Sequence, residues 1–196
     1  GCRCRGSGRK VDCVIKTSSL ERNKLYLVGV LKVLYSDILP FMNGMALHAS
    51  SLVINGRAHI FTGSSGAGKS TISTILPGKL VADDFTPIFL SAEGPIALMS
   101  PFVTWEKRRY QQDQAFISTI NNVLQSDIWA VKEFDTGVAV SRILENTISF
   151  SDAPHVKQAL LDRAIDFSEL VSVRELKFSL TPPSMERING LFSGAA

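Results

Sequence analysis

Three features of the sequence predict an α/β fold built on a mixed sheet. A glycine-rich segment, Gly63 to Ser70, lies between a β-capable apolar run and a short helical one. A hairpin signature centred on Asn55-Gly56 precedes it, and strand-like and helix-like stretches interleave through much of the remainder. With 196 residues, 45% hydrophobic and 20% charged, the chain can bury one sizeable core and is too short for two large ones. The expected organisation is a basic flexible segment over 1–16 and a single domain over 17–196.

The elements follow in order. Leu25, Val28, Leu31, Leu34 or Tyr35, and Ile38 recur at helical spacing and predict a helix over about 24–38, stopped by Pro40. Met45 to Ile54 and Arg57 to Thr62 read as two strands of a hairpin. The Asn55-Gly56 pair between them suits a two-residue turn with both central residues at positive φ. After the glycine-rich segment, Thr71 to Leu76 reads as a short helix ended by Pro77-Gly78, and Lys79 to Ala82 as a strand running into Asp83-Asp84. Further on, strands are expected over 115–124, 128–134 and 170–180, and helices over 137–145 and 153–167.

Charge and cysteine usage narrow the function classes. Lys plus Arg is 21 and Asp plus Glu is 18, but the excess of three sits in Arg3, Arg5, Arg9 and Lys10, opposed within 1–12 only by Asp12. The body is neutral, which argues against a nucleic-acid partner. The most apolar stretch, Leu25 to Met42, contains Lys32 and Asp37, so no membrane span is expected. The front lacks the apolar core of a secretory signal. The three cysteines, Cys2, Cys4 and Cys13, are odd in number and show no CxxC spacing, so neither a disulfide framework nor a zinc site is expected, and a cytoplasmic location is. The basic front reads as a frayed tail or the front of a truncated chain.

The segment Gly63, Ser64, Ser65, Gly66, Ala67, Gly68, Lys69, Ser70 fits the phosphate-loop pattern GxxxxGK[ST], the Walker A sequence, at every fixed position. The pattern has a physical reason. Glycines permit torsions closed to other residues and let backbone N–H groups approach a phosphate. Lys69 is then expected to reach the β and γ phosphates of ATP, Ser70 to ligate Mg²⁺, and Thr71 to complete the nucleotide contacts. Mg²⁺ prefers hard oxygen ligands, and transfer to a hydroxyl needs a base. Asp83-Asp84, fourteen residues past Lys69, can supply both, with the two carboxylates expected on opposite faces of an extended segment. The blander reading is a solvated acid pair or a helix cap. His48, alone on an apolar strand, reads most simply as a hydrogen-bonded core histidine.

Leu47-His48-Ala49-Ser50-Ser51-Leu52-Val53, Gly63 to Thr71, and Leu80-Val81-Ala82-Asp83-Asp84 together resemble the P-loop catalytic domain of HPr kinase/phosphorylase, specifically its short serine-kinase relatives associated with peptide modification. The resemblance spans 47–85. It implies a phosphoenolpyruvate-carboxykinase-like nucleotide-binding fold and a homo-oligomer. It also implies that His48 orients Asp83, that Asp83 is the general base on an acceptor serine of a peptide or small protein, and that Asp84 lies on the metal side. The family's later Glu-x-Arg-Gly-x-Gly segment has no match, which weighs against phosphorylase activity and against HPr as substrate. Lys107, Arg108 and Arg109 are candidates for an extra cation, Arg142 a weaker one, and 91–114 is the expected docking region. The leading expectation is an ATP-dependent serine kinase. The alternatives are a nucleotide-binding regulator or assembly ATPase without an acceptor, and an interaction module that uses the basic front.

Overall fold

Apolar residues on both faces of the central strands force the sheet to be covered on both sides, and the computed structural model shows how this is done. It describes residues 2–7, 10–15, 20–102 and 112–193. In chain order the elements are β1 (Cys2–Ser7), β2 (Lys10–Ile15), α1 (Leu20–Ile38), a 3₁₀ turn (Leu39–Met42), β3 (Gly44–Leu47), β4 (Ser50–Ile54), β5 (Arg57–Thr62), α2 (Lys69–Ile75), β6 (Lys79–Ala82), β7 (Thr86–Ser91), β8 (Gly94–Leu98), β9 (Gln114–Gln125), β10 (Ala130–Glu133), α3 (Thr136–Glu145), α4 (Pro154–Leu170), β11 (Ser172–Phe178) and α5 (Met185–Leu191). None of the described helices is long and apolar enough to cross a membrane.

Nine strands, β3 to β11, form one mixed sheet, with β5, β9 and β11 parallel to one another at its centre and every other pairing antiparallel. The fold class is therefore mixed α/β. The Asn55-Gly56 turn has both residues at positive φ, 51° and 79°, which lets β4 and β5 pair as a tight hairpin. Side chains alternate about these strands. Ala58 and Ile60 enter one core with Ile143, Leu160 and Phe167 of α3 and α4. Leu52, Ile54 and Phe61 enter the other with Ile72 of α2 and Ile188 and Phe192 at α5.

Several expectations are corrected. Met45 to Ile54 is two strands, because the chain changes partners at His48-Ala49: β3 pairs with β7, and β4 with β5 and β6. Helix α1 begins at Leu20 and α2 at Lys69, earlier than periodicity indicated. Strands β7 and β8 and helix α5 were not foreseen, and β8 occupies part of the 91–114 stretch expected as a docking loop. Within 1–16, β1 and β2 pair antiparallel. Lys107, Arg108 and Arg109 lie outside the described residues.

A buried polar chain crosses the central strands. Arg174 on β11 donates to Asn121 Oδ1 (2.7 Å) and to the Leu191 carbonyl (2.6 Å). Asn121 Nδ2 reaches Thr119 Oγ1 at 2.8 Å, and Thr119 Oγ1 lies 2.9 Å from His59 Nδ1. His59 is fully buried, its ring edge-on to Phe192 at 4.9 Å. Burial, helped by the Arg174 charge, lowers its pKa from 6.5 to about 4. The folded protein thus binds fewer protons than the unfolded chain between these values. Its stability is complete above pH 6.5 and is lost as the pH falls toward 4, by up to about 3 kcal/mol. Urea midpoints at pH 7 and pH 5 test this: the drop expected for the natural sequence shrinks in His59→Gln, which carries no titrating ring.

Candidate functional site

The register of the sheet gathers the residues singled out from sequence at one end. Thr62, the last residue of β5, pairs with Asn122 near the carboxyl end of parallel β9, so the Gly63–Ser70 loop leaves the sheet beside the end of β9. Antiparallel β4 begins at the same end, with Ser50 opposite Phe61, and β6 finishes there, with Ala82 opposite Ser51. His48, before β4, and Asp83-Asp84, after β6, are therefore carried to that end. Carboxyl ends of parallel strands are where α/β sheets commonly bind ligands, because the loops there are free of ladder duties.

The loop turns through glycines at positive φ, and Gly68 shows why the residue type matters. At φ 98°, a Cβ there would lie 2.5 Å from Phe178 Cζ, a collision in addition to backbone strain. Lys69 opens α2 and folds its ammonium back over the loop, donating to the Gly63 carbonyl at 2.7 Å and the Ser64 carbonyl at 3.1 Å. The start of α2 is held from β4. Ser50 Oγ donates to the Lys69 carbonyl at 3.0 Å, and Ser73 Oγ lies 2.8 Å from Ser50 Oγ. Partial burial lowers the Lys69 pKa from its usual value, while the charges of Asp84 and Asp83 oppose the shift. Both acids are thus within electrostatic reach of the ammonium.

Asp84 departs from the sequence reading in its backbone. Its φ is 68°, so the acid pair does not lie on an extended segment. His48 Nε2 lies 3.4 Å from Asp84 Oδ1. A left-handed non-glycine residue costs on the order of 1 kcal/mol and persists only where its surroundings hold it. Lys32, on α1, supplies the second hold. Its ammonium is 3.2 Å from Asp84 Oδ2 and 5.8 and 5.7 Å from the ring centroids of Phe85 and Phe102. Sequence reasoning missed Lys32. It is 52 residues from its partner on a helix whose spacing reports only burial.

Asn146, at the C-cap of α3, joins the loop to His48. Its Oδ1 accepts from the Gly63 N–H at 2.9 Å, its Nδ2 donates to the Arg142 carbonyl at 2.8 Å, and its own carbonyl accepts from the His48 N–H at 2.8 Å. Arg142 is bound to Glu145 at 2.8 Å. A cleft of about 700 Å³ opens between the loop, the end of β9 and the end of α3. A smaller cavity of about 310 Å³ lies against Gly68 to Thr71.

No protein-family model matches the chain, and no curated protein matches it in sequence. Among solved structures, it is similar to the Hpr(Ser) kinase/phosphatase from Coxiella burnetii. The identity is 15%, over 63% of this chain and 89% of that chain, with a TM-score of 0.34. That likeness is too loose to assign a family.

Two substitutions probe the site's geometry. Asn146→Ala leaves the buried Gly63 N–H without its acceptor and lowers stability by about 1–3 kcal/mol, read as a shift in urea midpoint. Gly68→Ala places a Cβ against Phe178 and is expected to cost at least about 1 kcal/mol from backbone strain, again read in urea.

Proposed function

We propose that this protein is an ATP-dependent phosphotransferase that phosphorylates a serine hydroxyl of a peptide or small protein, acting from a P-loop site of the HPr-kinase-like kind. The observation that carries the reading is that the sheet register brings Asp83 and Asp84 to the end from which the Lys69 loop departs. Two carboxylates from beyond β6 act electrostatically on a lysine held in a glycine loop, at one end of the sheet.

In this reading each residue has a task. Backbone amides of Gly66 to Ser70 and the Lys69 ammonium hold phosphate oxygens, with Lys69 exchanging the Gly63 and Ser64 carbonyls for the ligand. Asp83 accepts the proton of the acceptor hydroxyl, and His48 with Lys32 keeps the Asp84 carboxylate in place. Ser70 and Asp84 offer the hard oxygens that suit Mg²⁺. The described residues contain no cluster of three or more His, Cys, Asp or Glu for a metal, which fits an ion that takes its remaining ligands from phosphate and water. ATP with Mg²⁺ supplies the transferable phosphoryl group and neutralises its charge.

The test is incubation with γ-labelled ATP and serine peptides. Lys69→Ala and Asp83→Asn are each expected to reduce label transfer by about a hundredfold or more. Transfer that survives both substitutions removes the mechanism, and label released as inorganic phosphate with no acceptor ever marked favours an ATPase.

A further inference from the structure

Charged groups of the site are held by the protein itself. The Lys69 ammonium rests on the Gly63 and Ser64 carbonyls, and both oxygens of Asp84 are engaged, Oδ2 by Lys32 at 3.2 Å and Oδ1 by His48 at 3.4 Å. Lys32 differs from its neighbours in origin. It belongs to α1, which precedes every strand of the nine-stranded sheet, and it meets Asp84 across 52 residues.

An aromatic cluster seats α1 beside the acid pair. Tyr35 lies three residues after Lys32, on the same helix face, with its ring centroid 6.1 Å from that of Phe85 and 6.4 Å from that of Phe102. Those two rings meet edge to face at 5.1 Å, and the Lys32 ammonium stands 5.8 and 5.7 Å from their centroids. Phe85 follows Asp84 directly and is fully buried. The two ion-pair partners are therefore held unequally: the Lys32 side chain is 27% exposed and flanks two rings, whereas that of Asp84 is 65% exposed. Release of Asp84 leaves the ammonium with its aromatic neighbours, so the parting does not strand it. A pair this exposed also offers little resistance to parting.

We propose that Lys32 is a resident counter-cation, one that occupies Asp84 until a divalent ion replaces it and so sets how tightly the nucleotide-bound protein holds that ion. This deepens, and rests on, the phosphotransferase reading, in which Ser70 and Asp84 offer hard oxygens to Mg²⁺. A carboxylate oxygen that accepts from an ammonium must share or give up that contact when it ligates a cation, and a positive charge so near opposes the arrival of another. Lys32 thus weakens metal binding. In the absence of the ion the same contact works the other way, because it answers a negative charge that would repel the phosphates from the loop. Removing the ammonium has opposite effects on the two equilibria, whereas damage to the fold would weaken both.

The experiment measures those two equilibria on the full chain. Affinity for methylanthraniloyl-AMP-PNP is read by fluorescence in EDTA, and affinity of the protein–AMP-PNP complex for Mn²⁺ by the electron paramagnetic resonance of the free ion, with protein in excess over nucleotide. Lys32→Met keeps an unbranched side chain against the rings and removes the charge. It is expected to tighten Mn²⁺ binding about threefold and to weaken nucleotide binding in EDTA about threefold. Lys32→Arg, which retains the charge, should stay within about twofold of the natural sequence in both. In an Asp84→Asn background, Lys32→Met should no longer tighten Mn²⁺ binding. The proposal is overturned if Lys32→Met leaves Mn²⁺ affinity unchanged or lowers it, if Lys32→Arg behaves as Lys32→Met does, or if the gain persists with Asp84→Asn. Failure of the underlying reading looks different and removes the proposal with it: Lys69→Ala would bind the fluorescent nucleotide as tightly as the natural sequence.

Discussion

The parallel pairing of β5 with β9 is the constraint on which the rest of the structure depends. Its register sets Thr62 against Asn122, so the chain leaves β5 beside the carboxyl end of β9. Parallel neighbours cannot be joined by a tight turn, and the connection from β5 to β9 passes through α2, β6, β7 and β8 before it returns. That path brings β6 back along β4 and delivers Asp83-Asp84 to the end from which the glycine loop departs. Shifting the β5–β9 register by one residue would turn Phe61 and Ile60 to the wrong cores and separate the loop from Asn146.

The site's electrostatics follow from this placement. The loop concentrates N–H dipoles and one ammonium, and the acids opposite it would repel a polyanion if they stood alone. Lys32 and His48 meet the two oxygens of Asp84, so part of that negative charge is already answered inside the protein. Both contacts are at the surface, with Asp84 65% exposed, and contribute little to stability. Their effect is geometric: they hold a carboxylate on a left-handed backbone that would otherwise relax.

How much of this was legible in sequence depended on how local the cause is. The Asn55-Gly56 turn and helix α1 are set by neighbouring residues, and each appears where it was expected, give or take a few residues. The split of Met45 to Ile54 was not legible. Both halves are buried and β-capable, and only the exchange of β7 for β5 and β6 as partners divides them. The same holds for the role of Asp84. Adjacent acids look alike in sequence, and nothing local marks Asp84 as the one with φ 68° that meets His48 and, from 52 residues away, Lys32. Lys32 was counted only as an interruption of an apolar stretch, although its ammonium, near the Phe85 and Phe102 rings and 3.2 Å from Asp84, is what gives that interruption a use.

Asn146 shows the same principle from the other side of the loop. A helix needs some partner for its last carbonyls, and an asparagine at the C-cap can serve by turning its amide back on Arg142. Here the same side chain also presents its oxygen to Gly63, while its backbone carbonyl takes the His48 N–H. One residue thus fixes the entry of the glycine loop, the backbone of the histidine that meets Asp84, and the wall of the larger cleft. A movement of α3 would be felt at all three, and most sharply at Gly63, whose buried N–H would lose its acceptor.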